Sequence, residues 1–275
     1  MANDLAGKVA IITGGAGGIG KALAEEMAAR GCHLVLADIN SALLEKTAGA
    51  LRASGAQLDA KTVDVRDATQ VQALVDGAHG ELGRIDYIFN NAGVNLCAEI
   101  RDTTLEDWNL MIDVNLRGVV HGVHAAYSIM RGQRFGHIVN TASAAGLIPA
   151  AAEGAYTATK HAVVGLSSTL RIEAAGFGVK VSVVCPGLVD RPILESTKYA
   201  KLDPEALRKI WPGKPTPPRK AARQILRGVH RNRFYIVLTP TVHALWRLHR
   251  YAPGTSLGVG RIAVGLFRRE RIEDD

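Results

Sequence analysis

Tyr156 and Lys160 stand four positions apart in AYTATKHAVVGL (155–166), at the head of an apolar helical pattern. Residues four apart on a helix lie one above the other, so the phenol and the ammonium share a face. A free tyrosine has a pKa of about 10 and is a poor base at neutral pH. An ammonium held a few ångströms away stabilises the phenolate and lowers that value toward the range of a general acid/base. Taken alone, YxxxK also reads as an ordinary surface pair. Thirteen residues earlier, Ser143 ends a strand-like run, GHIVNTAS (136–143), which puts it at the carboxyl edge of a sheet.

A second motif indicates what lies along that edge. TGGAGGIG (13–20) follows an apolar strand pattern directly and opens a helical one. Glycines there let the backbone turn tightly and let a pyrophosphate approach the helix N-terminus, where free N–H groups and the dipole favour negative charge. GxGxxG by itself is weak evidence, satisfied here by Gly15, Gly17 and Gly20; the strand–turn–helix context makes it strong. Asp38 ends the next strand, 18 residues past Gly20, and no Arg or Lys follows in Ile39, Asn40 and Ser41. A carboxylate at this place accepts hydrogen bonds from both adenosine ribose hydroxyls and repels a 2′-phosphate, which favours NAD over NADP. The competing reading of Asp38 is a plain N-cap.

The elements that must hold these groups alternate along the first two-thirds of the chain. Strand-like runs at 8–13, 33–38, 57–65, 85–93, 136–143 and 180–187 are separated by helical patterns. Near-continuous apolar strands joined by helices predict a parallel sheet covered on both faces, an α/β doubly wound (Rossmann) fold in three α/β/α layers. Ligands of such sheets bind at the carboxyl ends of the strands. FYIVL (234–238) reads as a further strand after a helix at 219–231.

The bulk properties suit that class. The chain has 275 residues, 47% apolar and 21% charged, an ordinary globular composition. Cys32, Cys97 and Cys185 have no ligand spacing, so neither a disulfide framework nor a metal site is expected, and a reducing cytosol fits best. The N-terminus has no signal-peptide pattern, and no window approaches the roughly 20 apolar residues of a membrane span. His121 and His124 share a helical face with no acid or thiol nearby and read as packing residues.

The ordered motifs resemble those of the single-domain short-chain dehydrogenases/reductases, over residues 5 to about 187 and more weakly to about 240. The resemblance sets Thr13, Gly14, Gly18 and Gly20 in the glycine motif TGxxxGxG, with Ile19 beside the cofactor. It implies an adenine-pocket acid at Asp64 followed by Val65, NNAG at Asn90, Asn91, Ala92 and Gly93, and a catalytic asparagine at Asn115. Ser143, Tyr156 and Lys160 would be the remaining catalytic residues, and Pro186–Gly187 with Val189 the turn against the nicotinamide. The roles it implies are proton exchange by Tyr156, a hydrogen bond from Ser143 to the substrate oxygen, ribose binding by Lys160, and a relay water held by the Asn115 backbone. Ser143 and Tyr156 are therefore also the expected substrate contacts. Where the family often continues PGxVxT, this chain reads PGLVDRP, and Arg191 stands at the threonine position; its side chain either reaches a cofactor phosphate or points into solvent. Family members usually assemble through their long helices, which implies a homodimer or homotetramer. The resemblance leaves three readings: an NAD-dependent enzyme, an NADP-linked carbonyl reductase, and a silent nucleotide-binding scaffold. The intact catalytic set favours an enzyme.

Residues 1–240 read as one catalytic domain, with a substrate lid at about 188–218 that carries six prolines. Ile193, Leu194, Tyr199, Leu202, Leu207, Ile210 and Trp211 make the lid apolar, and Val94 to Ala98 extend its wall. The expected substrate is a hydrophobic secondary alcohol or ketone, lipid-, steroid- or retinoid-like. Residues 241–275 form a basic amphipathic extension. From Ser196 onward there are 17 Lys/Arg against 6 Asp/Glu, a net +11, while residues 1–195 have 16 against 20, a net −4. Such a tail can lie on an anionic membrane or pack on a second subunit, with packing favoured. No nucleic-acid module is visible.

Overall fold

A computed structural model of the chain describes residues 4–190, 197–202 and 214–269. Seven parallel strands form one sheet in the order β3-β2-β1-β4-β6-β7-β9. They are β1 Val9–Thr13, β2 His33–Asp38, β3 Leu58–Thr62, β4 Tyr87–Asn90, β6 Gly136–Thr141, β7 Val179–Cys185 and β9 Tyr235–Val237. The order reverses between β1 and β4, which opens a crevice at their carboxyl ends. A two-stranded parallel pair, β5 Leu96–Cys97 with β8 Lys198–Tyr199, stands apart from the sheet.

Both faces of the sheet are buried, which is why the strands read as apolar runs and not as alternations. Ile11, Val35, Ile88 and Ile138 point into one core layer, while Ile12, Leu34, Leu36, Phe89 and Val139 point into the other. Helices α3 (Ala68–Leu82), α5 (Gly118–Gln133) and α6 (Gly154–Ala174) cover the first face. Helices α1 (Gly18–Ala28), α2 (Ser41–Ala53) and α7 (Pro218–His230) cover the second. Arg219 and Arg223 of α7 both donate to Glu26 of α1, at 2.9 and 2.8 Å, and hold these two helices side by side.

A buried polar chain fixes α6 against the sheet. Asn90 Nδ2 donates to Asn140 Oδ1 at 2.8 Å, and Asn140 Nδ2 donates to Ser167 Oγ at 3.0 Å. Gly122 of α5 makes room for it, since a Cβ there would collide with the Asn90 side chain. The remaining helix between β5 and α5 is α4 (Leu105–Ile112), started by a Thr104–Asp107 capping box and followed by one π-helical turn, Asp113–Arg117.

The basic extension folds into α8 (Pro240–Tyr251) and α9 (Pro253–Arg269), broken at Ala252. Val242 enters the main core and Trp246 packs on Tyr235 with ring centres 4.8 Å apart. Arg268 pairs with Glu99 at 2.8 Å, and Ala263 rests on the small cluster of Cys97 and Leu202. Tyr251, Leu257, Ile262 and Leu266 remain exposed. Of the lid, 188–190, 197–202 and 214–218 are described; Arg191, Ile193, Leu194, Leu207, Ile210 and Trp211 lie outside the described residues. Among the described residues no helix is long and apolar enough to cross a membrane.

Candidate active site

A cleft of about 460 Å³ runs along the carboxyl ends of β1, β2, β4, β6 and β7. Gly14, Gly17, Gly18 and Ile19 form its floor at the start of α1, and Asp38 closes one end. Asn91, Ala92 and Gly93 line the middle, while Ser143, Tyr156, Lys160 and the Pro186–Val189 turn line the other end.

The glycine turn owes its shape to close approach. Gly14 takes φ +65°, and a Cβ there would stand 2.9 Å from the Ala92 Cα. A Cβ on Gly20 would collide with the Gly14 carbonyl oxygen. Thr13 ties this turn to the loop after β4: its Oγ1 accepts from the Asn91 N–H at 3.0 Å and the Ala92 N–H at 3.1 Å. Asn91 Nδ2 returns a bond to the Thr13 carbonyl at 3.1 Å. The N-terminus of α1 has no side-chain cap and no acidic residue in its first turn. Its N–H groups thus meet the cleft undisturbed by a carboxylate, which suits a phosphate.

Asp38 is not the cap of α2. Asn40 takes that position, with its side chain accepting from the Leu43 N–H at 3.0 Å. The Asp38 carboxylate instead accepts from the Ala16 N–H at 3.1 Å and the Asn40 N–H at 3.0 Å, and so is aimed into the cleft. Ile39 and Leu43, which sequence reasoning missed, flank it with apolar surface, 61% and 41% exposed. A hydrophobic residue beside the strand-end acid was the available signal.

Asp64 and Val65 do not line the cleft in this chain. Arg66 engages the Asp64 carboxylate at 2.6 and 2.9 Å and holds it below the usual carboxylate range. Val65 packs against Gly118, where an added Cβ would meet its side chain, and its carbonyl accepts from His121 Nδ1 at 2.9 Å.

Tyr156 and Lys160 project from the first turns of α6, both buried. Ser143 beside the Tyr156 hydroxyl favours the phenolate. The expectation that Lys160 lowers the tyrosine pKa is corrected here: burial pushes the phenol well above its ordinary value, and the Glu153 carboxylate adds to the rise. The ammonium is not aimed at the hydroxyl. It donates to the Thr141 carbonyl at 3.0 Å, and burial pulls its own pKa down to about 8.

Asn115 lies in the π-helical turn and is fully buried. Its Oδ1 accepts from the Val94 N–H at 3.0 Å and its Nδ2 donates to the Val94 carbonyl at 2.9 Å, as a neighbouring strand would. A Cβ on Gly93 would be 3.0 Å from Asn115 Oδ1 and 3.5 Å from Lys160 Nζ, so Asn115 backs the corner where Gly93 and Lys160 line the cleft. π-turns of this kind frequently mark functional positions because they turn a backbone carbonyl out of the helix ladder. The wall around Tyr156 is apolar, made of Val94, Leu96, Met111, Trp108, Ala145 and Ala155.

The short chain dehydrogenase family model matches residues 8–201. The chain belongs to the short-chain dehydrogenase/reductase family. It is 37% identical over 205 residues to the levodione reductase of Leifsonia aquatica, covering 74% of this chain and 76% of that protein. It is 39% identical over 193 residues to the oxidoreductase UcpA of Escherichia coli K12, covering 70% and 73% of the two chains. A short-chain dehydrogenase/reductase from Burkholderia phymatum, solved in complex with NAD, superimposes with TM-score 0.84 at 36% identity, over 93% of this chain and 96% of that one. Among short-chain dehydrogenases this chain is an NAD(P)-dependent oxidoreductase.

Proposed function

We propose that the protein transfers a hydride between NAD and an apolar secondary alcohol or ketone, with Tyr156 exchanging the proton. The observation that carries this reading is that Ser143, Tyr156 and Lys160 line one end of a cleft whose other end holds Asp38. The nicotinamide nucleotide supplies the hydride acceptor or donor when bound. The chain's own part is binding, orientation and proton transfer.

The free N–H groups at the start of α1 and the Gly14–Gly20 turn would hold the pyrophosphate, since Gly14, Gly17 and Gly18 line the cleft without a side chain. Asp38 would take the adenosine ribose hydroxyls and Ile39 the adenine face, which disfavours NADP through repulsion of a 2′-phosphate. Asn91, Ala92, Gly93, Pro186, Gly187 and Val189 would wall the nicotinamide half, and Lys160 would reach its ribose. Asp64 is outside these contacts because Arg66 occupies its carboxylate.

Ser143 would hold the substrate oxygen while Tyr156 donates its proton to it on reduction, or withdraws it on oxidation. Asn115 would act through its backbone carbonyl, in the π-turn, to connect Lys160 with solvent. A hydrophobic substrate suits the walls of Val94, Leu96, Met111 and Ala145, and the lid is proposed to add to them. We further propose a cytoplasmic homodimer or homotetramer with α9 near the substrate end. Turnover of a ketone panel with NADH and NADPH tests the reading; faster turnover with NADPH would remove the Asp38 argument.

A further inference from the structure

Helix α9 packs on the body along one side. Ala263 rests against the cluster of Cys97 and Leu202, and Arg268 grips the Glu99 carboxylate with hydrogen bonds of 3.1, 3.3 and 2.8 Å. Val259, Ile262 and Leu266 follow the spacing i, i+3, i+7 and therefore share a face of the same helix. They are 50%, 68% and 42% exposed. Arg261 and Arg269 are exposed as well and meet no carboxylate among the described residues.

A second copy of the chain and a lipid surface could each cover an apolar stripe, and charge separates them. Residues 240–269 contain five arginines and no Asp or Glu. A two-fold contact with the same face of a second copy would set arginines against arginines, and like charges brought together are costly. An anionic bilayer attracts each arginine, while its acyl boundary takes the apolar stripe. Glu270, Arg271, Glu273, Asp274 and Asp275 follow, so residues 240–275 hold six arginines against four acids, a net +2. With so modest a net charge, the apolar side chains have to supply much of the affinity. Among the described residues no helix is long and apolar enough to cross a membrane, so α9 would lie in the plane of the surface.

We propose that the exposed face of α9 docks the protein on an anionic phospholipid bilayer. Val259, Ile262 and Leu266 enter the acyl boundary, and Arg261 and Arg269 meet the headgroups. The opposite side of α9 stays on Cys97 and Leu202, so docking needs no unfolding of the extension. The docking is independent of the proposed reaction.

The test floats the full-length chain with vesicles of phosphatidylcholine alone and with about 30 mol% phosphatidylserine, at low and high salt. The serine lipid is expected to strengthen binding by at least about tenfold at low salt, and high salt to remove that gain. The double variant Ile262→Ser/Leu266→Ser should bind about tenfold or more weakly, and Arg261→Gln about fivefold more weakly. Wild-type melting temperatures and NADH affinities show that the variants are folded. No flotation of the wild type overturns the proposal, as does equal flotation with and without the serine lipid. Flotation of the double variant equal to the wild type also overturns it. So does a native mass, read by light scattering, that falls in the double variant, because a second copy then covers this face.

Discussion

Lys160 Nζ lies 5.5 Å from the centre of the Tyr156 ring and donates its hydrogen bond to Thr141, not to the phenol. The cation therefore stands beneath the ring while burial and Glu153 keep the hydroxyl protonated. A protonated phenol beside Ser143 is ready to donate, which is the role carbonyl reduction requires.

Alcohol oxidation needs the opposite form. Because the tyrosine pKa is raised, the phenolate is scarce at neutral pH and grows as pH increases. Oxidation rates are expected to climb about tenfold per pH unit above neutrality until Lys160 titrates near pH 8 or another step limits. Reduction should stay flat over the same range. Initial rates in both directions across pH check this; a pH-independent oxidation would contradict it.

Asp38 offers its carboxylate to the cleft from two backbone N–H bonds, while Asn40 independently caps α2. Asp38→Ala should weaken NAD binding by about tenfold or more, since charge-assisted hydrogen bonds are worth roughly 1.5–3 kcal/mol. The loss for NADP should be smaller. Titration calorimetry with both nucleotides reads the two changes separately.

Gly20→Ala should abolish nucleotide binding and destabilise the chain by several kcal/mol, because the methyl has to displace the Gly14 carbonyl. Gly80→Ala is the contrasting case. That glycine lies inside α3 with open space where its Cβ would go, so alanine should stabilise by about 0.5–1 kcal/mol. Thermal melts of the two variants would distinguish local crowding from helix propensity.

Much of the fold was legible because the sheet is buried on both faces: HLVLAD and KVSVVC read directly as β2 and β7. The glycine motif and the Ser143–Tyr156–Lys160 spacing located the cleft for the same reason, since strand ends and helix starts are local features. β5 and β8 were not legible, as two residues each carry no period and the pairing spans about a hundred positions. Glu153 escaped because its significance depends on Asn95 and Cys97, more than fifty residues away. The direction of the Tyr156 shift escaped too. Spacing brings an ammonium near a phenol, but burial is set by the whole tertiary wall and here outweighs it.

His137 lies buried in β6, its Nε2 2.8 Å from Ser182 Oγ, and burial lowers its pKa to about 3. The unfolded chain binds this proton near pH 6.5 and the folded chain does not. Its contribution is therefore fully present above about pH 6.5 and is lost as pH falls toward 3. Denaturant unfolding at pH 7 and pH 5 should show a drop in the wild-type chain that is smaller in His137→Gln.

Single-turnover mixing of the NADH-loaded protein with a ketone it accepts tests the proton-transfer claim most directly. The account gives a hydride-transfer rate at least about a hundredfold lower in Tyr156→Phe than in the wild type, with NADH affinity nearly unchanged. Equal transfer rates in the two proteins would contradict it.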